Sequence, residues 1–145
     1  MFVFCSGKIK TFNPIVDRKN IWAGSKVHST VRNRDGSLTP KACIGNVTKP
    51  MGVRFNIWRI PHNKPGRADH PASFPEQLAG DHILSWSNPG DLILDCFVGS
   101  GTTGKMALKY GRNFIGIDSS QQYIDIATKR LEDEVLNSYR KLFHV

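Results

Sequence analysis

The stretch Asp91-Leu-Ile-Leu-Asp95-Cys-Phe-Val-Gly99-Ser-Gly101-Thr-Thr-Gly104-Lys105 constrains the fold of this chain more than any other. Leu92 to Leu94 is short and continuously apolar, which predicts a strand buried on both faces of a parallel sheet. An acid ends the strand, and a glycine-rich turn follows at once. Gly99 and Gly101 allow positive φ and a close approach of backbone to ligand. Thr102 and Thr103 are placed to cap a helix whose inner face carries Met106, Ala107 and Tyr110. Strand, glycine turn and helix form the ligand-binding corner of an open α/β sheet.

The neighbouring sequence repeats that logic. Ser73 is a candidate N-cap of a preceding helix, with Pro75 in its first turn and Glu76 at the capping-box position. Phe74, Leu78, Ile83 and Trp86 share one helical face, and Ser87-Asn-Pro-Gly90 is a compact breaker. Past Gly111, a natural C′ glycine, Asn113 to Asp118 reads as a second buried strand ending in an acid. Ser119 or Ser120 caps a long helix striped by Ile124, Ala127, Leu131 and Val135. That helix is expected to fade near Leu136–Ser138, leaving a frayed basic tail. At the other end, Phe2 to Cys5 reads as a short strand.

At 145 residues the chain holds one domain at most. No apolar run reaches a membrane-spanning length of about 20 residues, and the first residues lack the basic leader of a signal peptide. Cys5, Cys43 and Cys96 show no metal or redox spacing and read as free thiols in a reducing cytoplasm. The five histidines are likewise without ligand spacing, so no metal is expected.

Charge divides the chain. Residues 1–70 carry 13 Lys+Arg against 3 Asp+Glu, a balance of +10, while residues 71–145 carry 7 against 9, a balance of −2. The basic half lacks periodicity except in two places. Arg32-Asn-Arg34-Asp35-Gly36 marks a hairpin whose first strand is Lys26–Val31, and Val53–Ile60 alternates as a half-buried strand with both faces partly covered. Trp22, Lys26, Arg32, Arg34 and Lys41 are candidate contacts to a polyanion, four for phosphates and one aromatic for stacking. A merely solvated basic face is the plainer reading. Trp58 and Trp86 read as core.

Gly99-Ser-Gly-Thr-Thr-Gly104 satisfies the dinucleotide fingerprint G-x-G-x-x-G, with Asp118 near the offset of a ribose contact. Asp95 argues against a pyrophosphate, because its charge beside the turn disfavours phosphate and welcomes a cation. One β-α-β-α unit also leaves no second mononucleotide half. A nicotinamide oxidoreductase is therefore the weaker reading. An adenosyl ligand bearing a sulfonium suits the site better.

Asp95-Cys-Phe-Val-Gly-Ser-Gly-Thr-Thr-Gly104, with His70-Pro-Ala-Ser-Phe-Pro-Glu76 before it and Phe114-Ile-Gly-Ile-Asp118 after it, resembles the N4/N6 amino-group DNA methyltransferases. Its order is that of the subclass whose S-adenosylmethionine motifs follow the catalytic signature. Thr11-Phe-Asn-Pro14 and Ile21-Trp-Ala-Gly24 resemble short bacteriophage-type members. The resemblance implies an α/β fold, part of a Rossmann-like S-adenosylmethionine-dependent methyltransferase, with a basic, turn-rich β insertion. Residues 1–145 would form one incomplete domain, with target recognition in 8–60 and the cofactor part in 70–138.

The resemblance further implies that Asp95, Phe97, Gly99, Ser100, Gly101 and Thr102 wrap S-adenosylmethionine, that Asp118 holds its ribose, and that Ser73, Phe74 and Pro75 contact its methionine end. Double-stranded DNA is the implied partner. Cys96 departs from the family's usual proline. The larger departure is that the catalytic signature, an acid, Asn or Ser followed by Pro-Pro and an aromatic, occurs nowhere; Asn13-Pro14 shares only two of its positions. Adenine N6 or cytosine N4 would be methylated only with that signature supplied, so the chain alone is expected to be inactive. A non-catalytic subunit complementing a separate catalytic chain, or a decayed fragment, is the alternative.

Overall fold

The computed structural model describes residues 5–61 and 74–143. The chain divides into two compact units, Pro14–Trp58 and the remainder. The expected strand at Phe2–Cys5 and the Ser73 cap fall on or beside residues outside the described ones, apart from Cys5, which is exposed and not in a strand.

The larger unit is α/β. Helix α1 (Glu76–Trp86) begins after Pro75, whose φ of −61° and ψ of 136° set the chain for a first helical turn, and no side chain caps it. Glu76 is thus not a capping-box acid. The helix stops at Ser87, which is extended and donates both its N–H and its hydroxyl to the Ile83 carbonyl. Strands β5 (Leu92–Asp95) and β6 (Asn113–Gly116) pair in parallel, Leu92 opposite Asn113 and Asp95 opposite Gly116. Helix α2 (Thr102–Lys109) connects them. Helix α3 (Gln121–Phe143) follows, the Ser120 carbonyl accepting from Ile124 N–H.

Ala79 and Ile83 of α1 pack on Met106 and Ala107 of α2, and Ile93, Tyr110 and Phe114 close over them. Ala107 is completely buried. The fit relies on missing side chains. A Cβ on Gly104 would come within 2.5 Å of the Phe114 ring and 2.9 Å of Leu131, and one on Gly101 within 3.1 Å of Ala127. Gly104 therefore serves close helix–strand packing. Gly101, the α2 N-cap, combines a φ of 79° with that contact, so its first role is seating α3.

Three expectations fail here. Among the described residues the sheet is covered on one face: Leu92 and Leu94 are 59% and 58% exposed, with Ile115 and Ile117 alongside them. Strand alternation sends Ile93 and Phe114 towards the helices and these four to the other side. Thr102 and Thr103 lie inside α2, because Gly101 takes the cap position. And α3 runs on to Phe143, since residues 132–143 hold no glycine or proline and are rich in helix-favouring side chains.

The smaller unit is built from short antiparallel ribbons. β1 (Arg18–Lys19) pairs with β4 (Met51–Gly52), β2 (Thr30–Arg32) with β3 (Leu38–Pro40), and Lys26 bridges Val47. The Asp35-Gly36 turn forms as expected: Gly36 has a φ of 86°, and Asp35 Oδ1 accepts from Ser37 N–H and hydroxyl at 2.9 and 2.7 Å. The hairpin's first strand starts later than expected, at Thr30.

The predicted strand over Val53–Ile60 is absent. The pattern lacks a covered face to reward it, and Val53, Phe55 and Ile57 remain more than half exposed. Arginines take over instead. The Arg18 guanidinium lies 4.6 Å from the Phe55 ring centre and that of Arg54 5.0 Å from Trp58, so Trp58 is half-buried under an arginine rather than in a core. No residue of this unit is fully buried.

Candidate cofactor site

Both sequence-predicted acids sit at the carboxyl edge of the parallel pair, the position that binds ligands in open α/β sheets. Asp95 ends β5 and is half-buried, and its Oδ1 accepts from Phe97 N–H at 3.0 Å. Asp118 lies two residues beyond β6. Its Oδ2 accepts from Gly99 N–H at 2.9 Å and its Oδ1 from Ser120 N–H at 3.0 Å. One carboxylate thereby ties the glycine turn to the entrance of α3.

These bonds change how the turn reads. A pyrophosphate loop aims its N–H groups at the ligand. Here Phe97 donates to Asp95, Val98 to the Ile117 carbonyl, Gly99 to Asp118 and Gly101 to the Val98 carbonyl. Four of the N–H donors of this turn are directed inward, beside two carboxylates. Phe97 meanwhile is 88% exposed, a free aromatic face at the mouth. The donor set fits a cationic ligand with a hydrophobic or aromatic body, and fits a diphosphate poorly.

Ser100 and Thr102 belong to the turn but bury their side chains, at 7% and 4% exposure. Arg130 of α3 donates to the Ser100 carbonyl at 3.1 Å and lies 3.3 and 3.2 Å from the two hydroxyls. Its other terminal nitrogen donates to Glu76 Oε1 at 2.7 Å, and Lys105 reaches the same oxygen at 2.7 Å. Burial raises the Glu76 carboxyl, but hydrogen bonds and charge from Lys105 and Arg130 outweigh it, leaving the group below the usual carboxylate range. Phe74 and Pro75 immediately precede Glu76, Phe74 exposed and Pro75 half-buried.

Sequence reasoning missed this cluster, and it missed two further residues. Asn13 donates its amide to the Leu84 and Ser87 carbonyls at 3.1 Å each, while its N–H bonds the Ser85 carbonyl. It closes the end of α1, with Phe12 stacked 4.9 Å from Trp86. Arg112, 6% exposed, donates to the Ser87 hydroxyl and carbonyl and to the Tyr110 carbonyl. A lone Asn or Arg carries no sequence pattern that announces such roles.

In the smaller unit Trp22 is 74% exposed in a turn fixed by Gly24 N–H to the Thr48 carbonyl and Ser25 N–H to the Trp22 carbonyl. Arg32, Arg34 and Lys41 are exposed on the β2–β3 hairpin or beside it, and Lys26 is exposed at its bridge. Residues 14–58 carry 8 Lys+Arg against 2 Asp+Glu, a balance of +6. Both acids are engaged, Asp17 by Arg54 Nε at 2.9 Å and Asp35 by Ser37. Among the described residues no cluster of three metal-ligating side chains forms, no helix is long and apolar enough to cross a membrane, and all three cysteines are free.

The profile of the N6/N4 DNA methylases matches residues 11–129. The chain belongs to this DNA methylase family. Within it, the chain is 47% identical over 144 residues to the orphan methyltransferase M.BamHII of Bacillus amyloliquefaciens, covering 94% of this chain and 54% of that protein. It is 55% identical over 65 residues to the type II methyltransferase M2.DpnII of Streptococcus pneumoniae, 45% of this chain and 24% of that one. Among solved structures, the cytosine-N4-specific PvuII DNA methyltransferase superposes with a TM-score of 0.50 at 25% identity, over 61% of this chain and 38% of that chain. The N6/N4 methylase chain described here thus spans about half the length of M.BamHII. The match confirms the α/β fold expected from the glycine turn and its flanking strands.

Proposed function

We propose that this chain provides the S-adenosylmethionine seat and the DNA-recognition region of a site-specific DNA amino-methyltransferase acting on adenine N6 or cytosine N4. The observation that carries the reading is the glycine turn with its N–H groups directed inward and Asp95 and Asp118 at its rim. S-adenosylmethionine brings a methyl group activated by a sulfonium. Asp95 offers this cation a carboxylate, Asp118 accepts from the ribose hydroxyls, and Phe97 lies against the adenosyl body. Gly99, Ser100, Gly101 and Thr102 form the floor, and Ser73, Phe74 and Pro75 meet the methionine end.

The basic unit, with Trp22, Lys26, Arg32, Arg34 and Lys41, docks double-stranded DNA through phosphates and one stacking aromatic. The subclass we assign places these motifs after the catalytic signature, as in short bacteriophage-type enzymes, and the protein acts in the cytoplasm of a bacterial or phage-infected cell. The signature that grips the flipped base is not in this sequence.

Incubation with isotope-labelled S-adenosylmethionine and duplex DNA tests both halves. Ultraviolet crosslinking should label the chain, with unlabelled S-adenosylmethionine competing and NAD not. Transfer of label to DNA by the chain alone should stay at background. Robust transfer would refute the claim of a missing acceptor site, and no crosslink would refute the donor site.

A further inference from the structure

Glu76, Lys105 and Arg130 come from three different helices and converge on one oxygen behind the glycine turn. Arg130 is the element that joins them to the turn. One edge of its guanidinium binds Glu76 Oε1, and another nitrogen binds the Ser100 carbonyl at 3.1 Å with both neighbouring hydroxyls in reach. A guanidinium is a rigid planar fork, so the two bonds fix the turn and Glu76 relative to one another. Glu76 is the residue directly after Pro75. The fork therefore spans the two segments between which the proposed cofactor lies.

As a plain stabilising contact the cluster would be modest, since its side chains are 26–35% exposed and partly exposed ion pairs contribute only about 0–1 kcal/mol. Its geometric effect is larger. Asp95 and Asp118 fix the glycine turn to the strand edge and to the entrance of α3; the Arg130 bridge adds the tie between that turn and the start of α1, which has no side-chain cap.

We infer that Arg130, anchored by Glu76, is a positioning residue of the cofactor site that pre-assembles the Phe74–Pro75 segment and the Ser100–Thr102 turn. The inference rests on the S-adenosylmethionine reading above and deepens it. Lys105 has a second task, neutralising the same carboxylate so that Glu76 adds no net negative charge behind the site.

Calorimetric titration of the full chain with S-adenosylmethionine, beside thermal melts, tests it in wild type, R130M, R130K and E76Q. R130M should raise the dissociation constant by roughly tenfold or more, equivalent to about 1.4 kcal/mol. R130K keeps the charge and should keep the melting temperature, yet should lose nearly as much affinity because an ammonium cannot bridge both partners. E76Q should fall between them and wild type. Wild-type affinity in R130K would overturn the inference, showing that charge alone suffices.

Should wild type bind no S-adenosylmethionine, the proposed function fails, and hydrogen exchange then decides the positioning claim. R130K should speed exchange of the 99–104 amides while leaving those of β5 and β6 at wild-type rates. Equal exchange at the turn would overturn it.

Discussion

The two units of this molecule hold their shape by different means. Among the described residues of the α/β unit, the buried apolar side chains lie in or between α1, α2, α3 and the turn: Ala79, Ile83, Val98, Met106, Ala107 and Ala127. Close approach there depends on glycines that no other residue replaces. The basic unit has no fully buried residue at all. It is held by backbone ribbons, an Asp35 turn and two arginines laid over aromatic rings. Packed cores resist change, and ribbons tied at the surface tolerate it. That contrast suits the two roles we propose, a rigid seat for a small ligand and an adaptable face for a polyanion.

Substitutions should break the first unit and barely touch the second. Gly104→Val should have the largest effect, because the new side chain collides with Phe114 and Leu131; overpacking costs about 1–3 kcal/mol or more, and with strand and helix both displaced we expect loss of the cooperative melt. Next comes Arg112→Met. It removes three hydrogen bonds from a buried guanidinium, to the Ser87 hydroxyl and carbonyl and to the Tyr110 carbonyl, and a hydrogen bond from a charged donor contributes about 1.5–3 kcal/mol, so a lowered denaturation midpoint should register the loss. In the basic unit, Asp17→Asn breaks the Arg54 pair on the surface and should leave the melting temperature unchanged within error. A large shift from that substitution would end the comparison.

Acid should act on the α/β unit through two groups. Burial holds His82 below its ordinary value of 6.5, with the nearby Asp81 charge opposing. The unfolded chain therefore takes up a proton first, so stability present at neutral pH falls as pH drops through that region. Glu76, held below the ordinary carboxylate value of 4.5, supports the fold above that value, and its support goes as pH falls through the lowered one. Thermal melts from about pH 7.5 down to about 2 should show two successive losses, the second below the ordinary carboxylate value; His82→Asn should remove the earlier, and E76Q the later. A flat profile would contradict both assignments.

The legibility of the sequence follows the same division. The glycine turn, both strand-end acids, the parallel order and the hairpin at Asp35-Gly36 all rest on local chemistry, and the sequence announces them. What depends on distant partners stays silent. Leu92 and Leu94 look buried on both faces because an apolar run cannot say how many layers will cover it. Val53–Ile60 looks like a strand because alternation is visible in sequence, while the absence of a partner strand is not. Thr102 looks like a cap because nothing local reveals that Ala127 requires Gly101 in that position. Arg130 reaches Ser100 across 30 residues, Arg112 reaches Ser87 across 25 and Asn13 reaches Leu84 across 71, beyond the reach of any local pattern.

The opening glycine turn consequently keeps its place at the centre and changes its meaning. It is a turn closed on itself by Asp95 and Asp118, rather than an open cradle of donors. Titration calorimetry of the chain with S-adenosylmethionine and with NAD tests this most directly. The account predicts saturable heat with S-adenosylmethionine, weakened by Asp95→Asn, and none with NAD. Preferential binding of NAD would contradict it.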